Sequence, residues 1–95
     1  NDDMALGAVQ AIEEAGLKPG KDITLVSIDA IGEAIKAVAE GRLNCTVECS
    51  PLFGPQVYDT IAKILAGEKV PKKIYNQDEL FDVKNAAKAL PTRKY

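Results

Sequence analysis

The feature of this sequence that most constrains its fold is an alternation of amphipathic helices with short apolar strands. Apolar residues recur at the helical spacing i, i+3, i+4 and i+7 from position 5 onward, and again within 31–41 and 54–68. Between these stretches, 23–29 and 43–49 are short, largely apolar runs that are typical of strands. The order α, β, α, β, α predicts an α/β fold whose strands pair in parallel through right-handed crossovers.

The limits of these predicted elements follow from capping and turn residues. Asp2 or Asp3 is suited to cap the first helix, and Gly16 suits the left-handed position past its end. Gly41 ends the second helix, and Pro55 lies near the start of the third. The run 23–29 is almost continuously apolar, which predicts a strand buried on both faces.

The C-terminal third carries weaker patterns. Residues 72–76 and 79–83 are predicted as short strands, and 84–90 as a weak helix or a turn. The preceding part offers only two strands for three helices, whereas parallel sheets are covered on both faces and are normally wider. The sequence therefore predicts the C-terminal part of a larger doubly wound protein. On this expectation, a start at Asn1 reflects processing, cleavage or excerpting.

Composition excludes several functional classes. With 46% apolar residues, 27% charged residues and a net charge of −2, the chain is predicted to be globular, without a nucleic-acid-binding surface. No apolar run approaches the roughly 18 residues needed to span a bilayer, so we expect no membrane insertion. No signal peptide is visible in the printed sequence.

The sequence offers no recognisable catalytic or cofactor motif. It has no histidine, no Walker loop, no G-x-S-x-G and no G-x-G-x-x-G, so we predict no enzyme activity and no cofactor. In a strand, Cys45 and Cys49 would lie about 13 Å apart, too far for a disulfide. Without histidine they also make a poor zinc site, so no metal is expected. Capping and solvation explain the adjacent carboxylates better than acid–base chemistry does: Asp2, Asp3, Glu13 and Glu14.

Polar residues at the predicted strand ends are the candidates for binding. Open α/β sheets bind ligands at the carboxyl ends of their strands. Asp29 ends one strand, Glu48 and Cys49 end the next, and Asn1 stands where a preceding strand would end. An amide both donates and accepts, and a carboxylate accepts from two adjacent hydroxyls, so the pair suits a neutral polyhydroxylated ligand. From position alone, a role as caps or turn residues stays open for both Asn1 and Asp29.

The stretch NDDMALGAVQAIEEAGLKPGKDITLVSID resembles the C-terminal lobe of type I periplasmic sugar-binding proteins, the solute receptors of ABC transporters. It is most similar to their ribose- and galactofuranose-binding branch. The family pattern is Asn-Asp-x-Met-Ala-Leu/Ile-Gly-Ala, a strand ending in Gly-x-Asp, a helix ending in Gly, and a T-V/I-x-x-x-P strand. It corresponds here to residues 1–8, 27–29, 41 and 46–51, and the likeness covers essentially the whole chain.

LacI-type repressor cores share the first half of this pattern, and the second half separates the two families. Residues 65–95 resemble the tail of the sugar receptors. The resemblance implies a receptor that captures a monosaccharide between two lobes by hinge closure and delivers it to the membrane permease of an ABC importer. The alternative is the effector-binding core domain of a LacI-type transcriptional repressor.

The resemblance also implies roles for single residues. Asn1 would hydrogen-bond sugar hydroxyls through its amide, and Asp29 would accept hydrogen bonds from the same sugar. Cys49 stands where ribose receptors have a glutamine, and since a thiol is a weak partner, ribose specificity does not follow. Glu48 matches a glutamate of the galactofuranose branch, although strand alternation points it away from Cys49. Ser27 replaces the usual glycine.

The implied fold is the C-terminal part of a two-lobed type I fold, with doubly wound parallel sheets and three hinge crossings. Residues 1–48 would belong to the C-terminal lobe, 49–78 to a hinge crossing and a segment of the N-terminal lobe, and 79–95 to the return crossing and tail. The N-terminal part of the same receptor would be a required partner. The implied location is periplasmic or extracytoplasmic, either free or lipid-anchored through that N-terminal part.

Overall fold

The computed structural model describes residues 1–95 and contains one three-stranded sheet, ordered β1-β2-β3. β1 and β2 pair in parallel as predicted, and β3 runs antiparallel to β2. The elements are α1 (Asp2–Glu14), β1 (Val26–Asp29), α2 (Gly32–Ala39), β2 (Cys45–Glu48), α3 (Gly54–Leu65), β3 (Leu80–Asp82) and α4 (Ala86–Ala89), with a final 3₁₀ turn (Leu90–Thr92).

The core lies between one face of the sheet and the helices α1, α2 and α4. Ser27, Thr46 and Phe81 point inward from the three strands and are buried. α2 contributes the most to the core, with Ala34, Ile35, Ala37 and Val38 buried on its inner face. The buried core residues are Ala5, Ala30, Ala34, Ile35, Ala37, Val38, Leu43, Phe81 and Ala86.

The first helix confirms the predicted spacing but not the predicted cap. Ala5 and Val9 are buried, and Gly16 has a φ of +77° just past the helix end. The cap is Asn1, whose Oδ1 accepts a hydrogen bond from the Met4 N–H at 3.1 Å. The expectation that Asp2 or Asp3 caps the helix is therefore wrong.

Two strand predictions are also wrong. Residues 72–76 form no strand, since no neighbouring strand in the chain pairs with them. β1 is not buried on both faces, because helices cover only one side of the sheet. Val26 and Ile28 on the other side are 67% and 55% exposed.

Residues 51–77 project from the rest of the molecule as an arm, whereas 1–50 and 78–95 form a packed unit. The molecule measures 60 × 23 × 16 Å, and α3, in the arm, has no buried residue. None of the helices is long and apolar enough to cross a lipid bilayer. In the arm, apolar side chains of α3 and of the segment after it line a groove of about 470 Å³: Val57, Ile61, Ile64, Val70, Pro71 and Ile74.

Candidate functional site

The candidate site lies at the carboxyl edge of the sheet, where β1 and β2 end. Asp29 is opposite Glu48 in the parallel register, and the Cys49 N–H donates to the Asp29 carbonyl at 3.3 Å. Asn1 is anchored at the same edge because its neighbour Asp2 accepts from the Ile31 N–H at 2.8 Å. The fold therefore brings the carboxyl ends of β1 and β2 and the start of α1 to one edge of the sheet.

A buried carboxylate, Asp2, fixes this arrangement. One oxygen accepts hydrogen bonds from the Ser27 hydroxyl and from the Thr46 hydroxyl, the latter at 2.7 Å. Its other oxygen accepts from the Ile31 N–H, so the fully buried carboxylate has partners on both oxygens, as burial requires. Asp2 thus ties the start of α1 to β1, to β2 and to the turn that follows Asp29.

Sequence analysis assigned Asp2 to capping and missed this role. The helical spacing could have revealed it, because Asp2, Ala5 and Val9 stand at i, i+3 and i+7 and share the buried face. A carboxylate on that face needs buried hydrogen-bond donors nearby.

Asp29 occupies a strained turn. Its φ is +126°, and that of Ala30 is +63°, a region that residues with a side chain rarely adopt. Such conformations cost of order 1–3 kcal/mol each and cluster at binding sites. Asp29 is half-buried, and its carboxylate accepts no hydrogen bond within the chain, so both oxygens are available at the edge.

The other two predicted residues of this edge, Asn1 and Cys49, differ in the hydrogen bonds that they can offer. Oδ1 of Asn1 is engaged in the helix cap, whereas its Nδ2 donates to no group of the chain. The amide is therefore best suited to donate to a ligand. Cys49 is exposed, and both its thiol and that of Cys45 are free, as expected from their spacing.

Glu48, the fourth predicted residue, is engaged by the C-terminal tail. Its Oε1 accepts from Arg93 Nη1 at 2.8 Å and from the Tyr95 hydroxyl at 2.7 Å. Its Oε2 accepts from the Glu79 N–H at 3.2 Å. Burial raises the pKa of the Glu48 carboxyl, but these hydrogen bonds and the positive charge beside it lower the pKa more, to below its ordinary range.

The partner of Glu48, Arg93, is half-buried between two aromatic rings. Its guanidinium carbon lies 5.0 Å from the centre of the Phe81 ring and 4.6 Å from that of Tyr95. Its Nη2 donates to the Ala30 carbonyl at 2.8 Å. Sequence analysis missed Arg93 and Tyr95 as parts of the site, because 45 or more residues separate them from Glu48.

No group of three or more histidine, cysteine, aspartate or glutamate side chains is arranged to hold a metal ion. A mostly polar hollow of about 430 Å³ lies where the chain enters and leaves the arm, and it is lined in part by Ser50, Tyr75, Gln77 and Asp78. The edge and this hollow together offer amide, hydroxyl and carboxylate groups, which suit hydrogen bonding to an uncharged polar ligand.

Comparison with known proteins finds sugar-binding proteins similar to this chain. No protein-family model matches it. It is 45% identical over 74 residues to the galactofuranose-binding protein of Escherichia coli (strain K12), covering 78% of this chain and 23% of that protein. It is 38% identical over 97 aligned positions to the fructose import binding protein of Bifidobacterium longum, covering 100% of this chain and 29% of that protein.

Solved structures give the same result. A protein of Mycobacterium smegmatis in complex with β-D-fucofuranose superposes with a TM-score of 0.90 and 50% identity, over 100% of this chain and 31% of that one. The periplasmic binding protein of an arabinose ABC transporter from Shewanella sp. ANA-3, bound to L-arabinofuranose, superposes with a TM-score of 0.86 and 47% identity. The match covers 99% of this chain and 32% of that one. The chain therefore spans less than a third of these proteins, and nothing in the comparisons favours the repressor alternative.

Proposed function

We propose that this chain, a member of the family of periplasmic sugar-binding proteins of ABC importers, supplies one wall of a cleft that captures a monosaccharide for import. The observation that carries the proposal is the Asp29 carboxylate. It is half-buried, free of internal partners and held on a strained turn at the carboxyl edge, the edge at which Asn1 begins α1. The matched relatives are transport receptors rather than enzymes, and we assign no catalysis to the edge.

The proposed contacts follow from the free donors and acceptors. Asp29 accepts from two adjacent sugar hydroxyls, and Asn1 donates through Nδ2. Cys49 lines the same edge as a weak partner, while Glu48 supports the edge through the tail. Two of the matched structures contain furanose sugars, and one relative is named for galactofuranose. We therefore propose a monosaccharide in its furanose form as the ligand.

The proposed domain organisation assigns residues 1–48 to the C-terminal lobe, 49–78 to a hinge crossing and a segment of the N-terminal lobe, and 79–95 to the return crossing and tail. Two unpartnered apolar surfaces support it, namely the groove of the arm and the open face of the sheet. The rest of such a receptor would cover both surfaces. Closure of the two lobes about the crossings would enclose the sugar.

The proposed partners are the remainder of the receptor and the membrane permease of an ABC importer, and the proposed location is periplasmic or extracytoplasmic. The Shewanella protein, a periplasmic component of an ABC transporter, supports the importer and the location, and the name of the fructose import binding protein supports import. A lipid anchor stays a prediction from the resemblance alone.

A chimera tests the binding role directly. The chain replaces the corresponding segment of the Mycobacterium smegmatis protein, and calorimetry measures the affinity for β-D-fucofuranose and L-arabinofuranose. Asp29→Ala and Asn1→Ala are each expected to weaken binding by about 1–3 kcal/mol, since each leaves sugar hydroxyls unmatched.

The matched control for the binding test is Asp3→Ala, at an exposed carboxylate on the helix that Asn1 caps, and this change is expected to leave the affinity unchanged. A chimera that folds but binds neither furanose would contradict the proposed function. Wild-type affinity in the Asp29 variant would remove that residue from the site.

A further inference from the structure

The C-terminal tail holds the strained turn that carries Asp29. Arg93 Nη2 donates to the Ala30 carbonyl at 2.8 Å, and the Gly32 N–H donates to the Tyr95 carbonyl at 2.9 Å. These two contacts fall one and three residues after Asp29. The tail therefore binds the turn through groups that Asp2 does not contact, although it is more than sixty positions away in the sequence.

The turn depends on external hydrogen bonds because its own conformation is unfavourable. Two successive residues with a side chain at positive φ persist only where the surroundings determine them. The Ala30 N–H is held by Thr46 at 3.2 Å and the Ile31 N–H by Asp2, both from inside the packed unit. The Ala30 carbonyl is held by Arg93. Ala30 is fully buried, so loss of that donor would leave its carbonyl unmatched away from water.

The chemistry at position 93 is specific to arginine. Its planar fork reaches the Glu48 carboxylate with Nη1 and the Ala30 carbonyl with Nη2, and it stacks on Phe81 and Tyr95. Nε of the same side chain is buried without a partner, which costs free energy. The fold accepts this cost at a position where one side chain from the C-terminal tail contacts both Glu48, at the end of β2, and the Asp29 turn.

We propose that Arg93 is a positioning residue for the sugar-binding carboxylate of Asp29. It fixes the orientation of that carboxylate through the Ala30 carbonyl on one side and through Glu48, the register partner of Asp29, on the other. Arg93 itself does not touch the sugar. The inference rests on the proposed function, in which Asp29 accepts hydrogen bonds from the ligand.

The affinity test uses Arg93→Ala, Arg93→Lys and the control Arg42→Ala in the chimera. Arg42 is an arginine that pairs with Glu40 on the surface, remote from the turn. Arg93→Ala is expected to weaken sugar binding on the order of tenfold, the size of one lost hydrogen bond. Arg93→Lys should recover part of this loss, because one ammonium can serve either the carbonyl or the carboxylate. Arg42→Ala should leave affinity at the wild-type value.

A double-variant cycle separates positioning from general destabilisation. If Arg93 acts through Asp29, adding Arg93→Ala to an Asp29→Ala chimera causes little further loss of affinity. An equal tenfold loss in that background would overturn the proposal. So would a loss as large in the Arg42 control.

Hydrogen exchange tests the same contact without any sugar. Arg93→Ala should speed exchange of the Gly32 and Cys49 amides, which bound the turn, and leave the Val9 amide in α1 unchanged. Unchanged exchange at Gly32 and Cys49 would overturn the proposal. A chimera that binds no sugar defeats the proposed function, whereas this exchange measurement still decides whether Arg93 holds the turn.

Discussion

The helices α2 and α3 show the same kind of apolar periodicity and end in opposite environments. α2 buries Ala34, Ile35, Ala37 and Val38 against the sheet, whereas α3 buries no residue. The two helices differ in what lies next to them rather than in their pattern. Periodicity therefore identifies the face that a helix buries, and only the surrounding chain decides whether that face is covered.

The sheet shows the same contrast between its two faces. Ser27 and Thr46 on the inner face are buried, while Val26, Ile28 and Val47 on the other face are exposed. The exposed side chains are as apolar as those of a buried parallel sheet. Both the open sheet face and the groove of the arm are thus lined by apolar side chains of the kind found in a protein interior, but these side chains are exposed.

The largest expected effect tests whether the arm is covered in a complete receptor. Ile35 is fully buried and Ile61 is 45% exposed in this chain. In the chimera, Ile35→Ala is expected to lower the free energy of unfolding by about 2–5 kcal/mol, and Ile61→Ala to do the same, because the proposed second lobe covers the groove. Urea unfolding measures both.

A change of less than about 0.5 kcal/mol in the free energy of unfolding of the Ile61→Ala chimera, the usual range for a surface position, would contradict the expectation that the second lobe covers the groove. The groove would then stay open in the complete protein. Ile35→Ala is the matched control, since it makes the same chemical change at a position that is buried already.

Much of the packed unit could be predicted from the sequence, because its elements are defined locally. The spacing of Ala5 and Val9 and the glycine at 16 set α1, and the apolar run before Asp29 sets β1. The predicted strand at 72–76 failed for a non-local reason. A β-strand needs a neighbour to bond to, and this chain supplies none at that place.

The candidate site was predictable only in part. The rule for open sheets gave Asp29, Glu48 and Cys49 a common edge. The register places Asp29 opposite Glu48, and the Cys49 N–H donates to the Asp29 carbonyl. No local pattern indicates that Asp29 and Ala30 adopt positive φ, which glycine usually supplies. Nor does sequence spacing bring Arg93 to Glu48, because the contact spans 45 positions.

A smaller effect sharpens the contrast within the packed unit. Asp2 and Asp3 are adjacent carboxylates, one fully buried with partners on both oxygens and one exposed. Asp2→Ala is expected to lower the free energy of unfolding of the chimera by about 1–3 kcal/mol, because the Ser27 and Thr46 hydroxyls lose their acceptor. Asp3→Ala should leave it nearly unchanged. Equal effects of the two variants in urea unfolding would contradict the role assigned to Asp2.

The smallest expected effect is a pH dependence that distinguishes the packed unit from the arm. The pKa of Glu48 is raised by burial and lowered more by its hydrogen bonds and by Arg93, so it lies below the ordinary value of about 4.3. The ionised form therefore stabilises the fold above that ordinary value. This contribution is lost as the pH falls through the lower pKa of the folded state.

Glu48→Gln should accordingly lower the free energy of unfolding at pH 7 and flatten its decline below about pH 4, as measured by urea unfolding across pH. The arm supplies the control, because its Asp59–Lys63 pair lies on the exposed surface of α3 with the side chains 68% and 50% exposed. Solvent screens such a pair, so Asp59→Asn should not alter the acid limb of the curve. An unchanged acid limb in the Glu48 variant would show that the contact between the tail and β2 contributes nothing to stability. The tail would then be held by Phe81, by the Ala30 carbonyl and by the Gly32 N–H.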